Sequence, residues 1–507
     1  MLRSIKQLTG ALLLLTLLSS TARLPEKKAK TYVSNYENVL GTSLEIKIMA
    51  GSPGQAVRAE KDVLAEIDRL NHLLSSYDPS SEFSQWMRAG KKPVTISPEL
   101  FQVLLLFEQW RLMSHGALDA SAASVIQVWK AAAKANRLPL PAEINQALQA
   151  VRQVHYTLDK QKGTALRTSD APLVLNSFAK SYIMNKAAAK AMNRTGINGL
   201  VINIGGDILV RGAHTEQIGV SNPVADAEND PPVASMVVQN KTVATSGNYR
   251  RGEMIKGKWY SHIVDPRTGF PVSGVISATV VADSATDAGA LATALNVLSL
   301  EEGRQLVASI PEAEYMLITA DGRQIRSNGW KEIPVPAPKA GVEAAARVAG
   351  DKGWDPNFEL AINLELARFE GMRTHRPFVA VWIEDEHKKP VRQIAVWYGK
   401  ARWLNEMRSW HYAYFAGFSA GNPNIMSTTS TTRPAGKYTL KWDGKDDNGN
   451  LVDQGTYTIY LEAARQEGTH QLMSQEITLK KPQHIDIPGG VEIAAASLDY
   501  RKKANGN

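Results

Sequence analysis

Apolar and polar residues alternate between Asn38 and Ala50, most regularly through Leu44-Glu45-Ile46-Lys47-Ile48, and a period of two predicts a strand. Val63, Ile67, Leu70 and Leu74 then recur three and four residues apart, which predicts an amphipathic helix behind that strand. Further helices are expected over Leu104 to Met113, Ser121 to Ala132 and Lys180 to Met192. Strands are expected at Leu200 to Ile204, Ile208 to Val210, Ser235 to Val238 and Ile276 to Val281. Strands and helices interleaved in this way predict an α/β or α+β core.

The pattern changes at Ile333-Pro334-Val335-Pro336-Ala337-Pro338, where repeated prolines favour extended backbone and break both helix and sheet. Beyond it, β-branched and aromatic runs such as Phe378 to Ile383 and Tyr457 to Leu461 are separated by glycine and asparagine turns, the signature of an all-β sandwich. The N-terminus carries a third pattern. Arg3 and Lys6 precede an apolar stretch from Ala11 to Leu18 and the small residues Ser20, Thr21 and Ala22, the order of a secretory signal. That stretch is shorter than the roughly 20 apolar residues a membrane helix needs. The expected organisation is a signal peptide over 1–22, an α/β domain over 32–333, a Pro/Ala-rich linker over 334–350, a β-rich domain over 351–490 and a disordered tail over 491–507. The mature protein is expected to be periplasmic and soluble.

Composition narrows the chemistry. The 507 residues are 44% hydrophobic and 21% charged, ordinary for globular domains, and exceed what a single core organises. The formal charge of +8 has its basic residues scattered among acids, with no basic run interleaved with aromatics, so no nucleic-acid partner is expected. The absence of cysteine excludes disulfides, thiolate nucleophiles and cysteine-ligated metals.

Five short segments of the first domain stand out: Ser76-Tyr77-Asp78-Pro79-Ser80-Ser81-Glu82, Gly116-Ala117-Leu118-Asp119, Val201-Ile202-Asn203-Ile204-Gly205-Gly206-Asp207, Thr245-Ser246-Gly247-Asn248-Tyr249-Arg250, and His262-Ile263-Val264-Asp265-Pro266-Arg267-Thr268-Gly269. Singly, several are turn chemistry, since glycine permits positive φ and proline and aspartate favour turns. In this order and spacing they resemble the ApbE family of FAD:protein FMN transferases. The resemblance implies an α/β fold that binds FAD and Mg²⁺. A threonine or serine of an acceptor redox protein then attacks the FAD pyrophosphate, releasing AMP and keeping FMN in phosphoester linkage. By position in the motifs, Tyr77 would pack on the flavin, and Leu40, Ala117, Leu118 and Asp119 would line its pocket. Lys180 and Val272 would complete the cofactor set. His262 would act as catalytic base, a role its near-neutral imidazole suits. Ser177 and Thr293 would hold the metal.

Two stretches depart from the family pattern. Leu173-Val174-Leu175-Asn176-Ser177-Phe178-Ala179-Lys180-Ser181-Tyr182 stands where the family reads Leu-Asp-Leu-Gly-Gly-Ile-Ala-Lys-Gly-Tyr, so the lysine is kept while an acid and three glycines are replaced. The position four residues before Thr293, a metal-binding aspartate in the family, is Gly289. Asp287 is the substitute carboxylate if the helix begins late or bends. Otherwise it favours the helix's positive end, behind the cap-type residues Asp283, Ser284 and Thr286.

In the second domain, Trp442-Asp443-Gly444-Lys445-Asp446-Asp447-Asn448-Gly449-Asn450 lacks the EF-hand ligand pattern and is read as a hairpin turn. It resembles the turns of small immunoglobulin-like domains, including the uncharacterised β domain found behind ApbE-like domains. Three functions follow: flavin transfer to a redox protein, a flavin-binding carrier or scaffold without transfer, or an envelope-binding module in which Trp382, Trp397, Trp403 or Trp410 is exposed.

Overall fold

The computed structural model describes residues 29–249, 251–333, 353–368, 376–399, 401–419, 429–430, 432–466 and 468–503. The signal peptide expected over 1–22, the linker over 334–350 and Arg250 lie outside them. In the first domain, eight strands form one sheet whose spatial order is their order in the chain. They are Lys30–Val39, Thr42–Ala50, Ile197–Ile204, Asp207–Gly212, Thr242–Gly247, Val275–Ala282, Glu314–Thr319 and Gln324–Arg326. Every neighbouring pair is antiparallel, so the mixed fold is of the α+β kind. The strand expected from Asn38 begins only at Thr42. Asn38 and Leu40 take φ of 57° and 52°, and with Gly41 they turn the chain between the first two strands.

Period-two patterning gives the sheet two apolar faces. Leu44, Ile46, Ile48, Leu200, Ile202 and Val280 face the helices Pro53–Leu74, Pro98–Met113, Ala179–Met192 and Ala285–Val297 in the main core. Val63, Ile67, Leu70 and Leu74 are all buried there, as their helical spacing requires. Met49, Val201, Val210, Val243 and Val281 face the other way, against the hairpin Glu216–Val220/Ala234–Val238.

The second domain is a sandwich of a four-stranded and a five-stranded sheet whose inner faces share a core that includes Leu360, Ile362, Val379, Val381, Ile459 and Leu498. The sandwich agrees with the expected fold class, with two local differences. The helix Arg408–Ser419 interrupts the all-β pattern, its Trp410 and Tyr414 covering the outer face of the larger sheet beside Trp382. The expected disordered tail over 491–507 contains the strand Ile493–Lys502, hydrogen-bonded on one side to Phe358–Leu366 and on the other to Gln483–Ile487. Ile493, Ala496, Leu498 and Tyr500 are buried in the sandwich, a stripe masked in sequence by the charged end Arg501-Lys502-Lys503. The acidic loop is a turn in which Asp446 Oδ1 accepts from Asn448 N at 2.9 Å and Asn450 N at 2.8 Å.

Candidate active site

Residues 173–182 lead into the Ala179–Met192 helix, and this one segment touches most of the motifs. Val174 N donates to Ala120 O at 2.9 Å, next to Asp119. Leu175 N donates to Ser76 Oγ at 3.3 Å, and Asn176 Nδ2 donates to the Tyr77 hydroxyl at 2.6 Å. Ser177 O accepts from Thr293 Oγ1 at 3.3 Å. Lys180 Nζ pairs with Asp207 Oδ2 at 2.9 Å, and Ser181 Oγ lies 3.5 Å from the same oxygen. Tyr77, Ser177, Lys180 and Thr293 are thereby assembled around one helix entrance.

Each part has a local cause. Tyr77 is 80% exposed with its hydroxyl tethered, so its ring face is open to a planar ligand. The Ala179–Met192 helix has no side-chain cap at Phe178, leaving the positive end of its dipole beside Lys180. Asp207 is aimed by the turn before it. Gly205 and Gly206 take φ of 58° and 96°, and a Cβ on Gly205 would lie 2.7 Å from Thr42 Oγ1. Leu40, half-buried and held in the left-handed region, sits on the neighbouring hairpin turn; strained backbone of this kind collects at ligand sites.

The second group of motifs is built around Arg267. Its guanidinium spans Asp265, with Nε at 3.0 Å from Oδ1 and Nη2 at 3.0 Å from Oδ2, and reaches Glu302 at 2.8 Å. A Cβ on Gly116 would meet the Arg267 side chain at 3.6 Å, so the motif before Asp119 packs against this arginine. Asn248 Nδ2 donates to Val275 O at 2.8 Å, and Val272 N donates to Ile263 O at 3.0 Å, which holds Val272 one residue along from His262. The exposed His262 ring places Nδ1 3.0 Å from Arg251 O. That bond assigns the proton to Nδ1 and leaves Nε2 as a free acceptor. Desolvation lowers the His262 pKa, opposed by the bond to Arg251 O and helped by the charges of Arg251 and Lys130. The contacts among the described residues do not join His262 directly to Lys180 or Thr293.

Four expected ligands are placed differently. Ala117, Leu118 and Asp119 are buried, and the Asp119 carboxylate is spent on Ser121, accepting from its N at 2.7 Å and its Oγ at 2.6 Å. The cavity next to it, lined by Phe107, Arg111, His155 and Tyr156, has a volume of about 30 Å³, which suits one water and no flavin ring. Asp287 does not join Thr293. The helix starts regularly at Ala285 with Ser284 Oγ capping Asp287 N, and six helical residues later Thr293 faces roughly 240° around the axis. Burial raises the Asp287 pKa, which further disfavours a charged ligand.

The residues present do not fit a resident Mg²⁺. Thr293 Oγ1 has Ser177 O at 3.3 Å and Gly289 O at 3.1 Å, all neutral oxygens, whereas Mg²⁺ is usually held through one or two carboxylates. Among the described residues, no group of three or more histidine, aspartate or glutamate side chains is placed to hold a metal ion. Asp207, the acid beside Lys180, was passed over in sequence because Gly-Gly-Asp reads as a turn; its partner lies 27 residues away.

Residues 40–317 match the sequence profile of the ApbE family. The chain belongs to the ApbE family. It is 26% identical over 325 residues to an FAD:protein FMN transferase of Klebsiella pneumoniae, covering 61% of this chain and 91% of that protein. A protein of the same name from Treponema pallidum is 27% identical over 317 residues, covering 58% and 87%. The crystal structure of the ApbE protein of Thermotoga maritima shares the fold at a TM-score of 0.53 and 24% identity, over 59% of this chain and 97% of that one. Residues 359–495 match a second family, described as a predicted periplasmic protein (DUF2271). No described helix is long and apolar enough to cross a membrane.

Proposed function

We propose that this ApbE-family chain transfers FMN from FAD to a threonine or serine hydroxyl of a secreted or membrane redox protein, releasing AMP. The observation that carries the reading is the convergence on residues 173–182 of an open aromatic face at Tyr77, an ammonium at Lys180 and the hydroxyl of Thr293. The acceptor hydroxyl oxygen attacks the phosphorus on the FMN side of the pyrophosphate. A new P–O ester forms, the bond to the bridging oxygen breaks, and AMP leaves with that oxygen. The hydroxyl proton passes to Nε2 of His262, which the Arg251 bond leaves unprotonated. Lys180 meets the diphosphate charge, and Tyr77 stacks on the isoalloxazine. The secretory pattern at the N-terminus and the match to a periplasmic family support a location outside the cytoplasm.

Capture of FAD without transfer is the second reading, favoured by the loss of a carboxylate at position 289. Incubation of the full chain with FAD and a secreted flavoprotein carrying an acceptor threonine separates the two. Transfer predicts AMP release and an acceptor heavier by FMN; FAD binding with neither product across several acceptors would leave only the carrier.

A further inference from the structure

The two departures from the family pattern touch each other. An ideal Cβ on Gly289 would lie 2.3 Å from Ser181 Oγ and 3.1 Å from Ser181 Cβ, the first distance shorter than any real contact. Ser181 is itself buried in the first turn of its helix, with 1% of its surface exposed, so it has little freedom to withdraw. The serine that replaces a glycine in one motif therefore fills the space that a side chain in the other motif would need. A side chain at 289 clashes with Ser181 as it stands, so one of them must shift to admit the other, and this chain carries the hydroxyl.

The hydrogen-bond partners of Thr293 are neutral, the carbonyls of Ser177 and Gly289, and the nearest carboxylate to Ser181, that of Asp207, is paired with Lys180. The nearby positive charge is Lys180. Asp207 holds it from behind, since the carboxylate is nearly buried at 8% side-chain exposure while the ammonium side chain is 32% exposed. The open member of the pair is thus the cation, and its remaining N–H donors are available to an anion.

We infer that this chain binds its flavin nucleotide without a resident divalent cation: Ser181 occupies the room that a carboxylate at position 289 requires, and Lys180, braced by Asp207, meets the diphosphate instead. The inference rests on the flavin-nucleotide part of the proposed function and holds for transfer or carriage alike.

Titration of the full-length protein with FAD, followed by flavin fluorescence, should give the same Kd in EDTA and in millimolar Mg²⁺, within about twofold. Tightening by tenfold or more on adding Mg²⁺ would overturn the inference while leaving the flavin reading intact. No FAD binding under either condition would sink the flavin reading itself. Mn²⁺ alone, followed by electron paramagnetic resonance, should find no site here in the native chain; occupancy that Thr293→Val removes would also overturn the inference. The double variant Ser181→Gly/Gly289→Asp should gain a Mn²⁺ site and Mg²⁺-sensitive FAD binding. Gly289→Asp alone should lower the melting temperature through its clash with Ser181. A folded double variant, checked by circular dichroism, that binds no Mn²⁺ would show that Ser181 is not what excludes the metal.

Discussion

At His262, the hydrogen bond from Nδ1 to Arg251 O fixes the proton on Nδ1 and by itself raises the pKa, but desolvation outweighs it, and the net lowering keeps Nε2 a free base at neutral pH. General-base removal costs about 10²–10⁴ in rate, so His262→Ala should cut transfer by that factor with FAD affinity unchanged, read from AMP release beside a fluorescence titration. The base works only when neutral. With a folded pKa below the ordinary 6.5, the acid limb of kcat/KM should fall below pH 6.5, and a limb centred above 7 would remove His262 from the role. Asp207→Asn should release Lys180 from its 2.9 Å bond and weaken FAD binding several-fold, with no change in the His262-dependent pH profile. Individual residues of the candidate site were legible to different degrees. The motif position of Tyr77 pointed to the segment where the structure places an exposed aromatic, bonded to Asn176. Asp207 could not be named, because its partnership with Lys180 exists only after the sheet and helix meet. Asp119 kept its motif position but is committed to capping, a use that sequence does not separate from ligand binding.

Elements were most legible where one face is buried. The stripe Val63, Ile67, Leu70 and Leu74 and the alternation through Leu44, Ile46 and Ile48 each announce their structure, because burial imposes a period of 3.6 or 2. Leu40 and Gly41 defeated the same reasoning, since an apolar residue at positive φ resembles a continuing strand. The strand Ile493–Lys502 was missed for the opposite reason: its buried positions are spaced among alanines and end in a basic run. It lies inside its sheet, paired on both sides, so deleting residues 491–507 should remove an interior strand and the Leu498 and Tyr500 contributions to the core. Fully burying one such side chain is worth about 1.5–3 kcal/mol, and the lost ladder bonds add to that. The second domain of the deletion variant should become protease-sensitive and lose its β signal by circular dichroism. A variant as protease-resistant as the native chain would contradict the strand assignment.

Across the whole molecule, each domain covers an edge strand of the other. Lys30–Val39 is the outer strand of the eight-stranded sheet, and Gly399, Trp403 and Thr432 lie against it with Ser34 and Asn35 buried between. Gly436–Trp442 is an outer strand of the sandwich, and the first domain's loop bonds to its backbone. Glu228 N donates to Thr439 O at 2.7 Å, while Asn229 bridges Lys441 N and O at 2.9 and 2.8 Å. Uncovered edges recruit other strands, so this reciprocal cover protects against self-association. The envelope-binding alternative loses its supporting feature, because Trp382, Trp397 and Trp410 are buried and Trp403 is packed beside them. Among the described residues, none of those assembled around 173–182 comes from the second domain, and the first has a core of its own. A chain ending at Ile333 should therefore bind FAD with a Kd within about twofold of the full chain. With the Lys30–Val39 edge bare, the same truncated chain should self-associate at concentrations where the full chain does not, as light scattering on a sizing column would register. Normal FAD binding without added self-association would mean that edge cover is not what the second domain contributes. Loss of FAD binding from a folded truncated chain would instead require the second domain to shape the site.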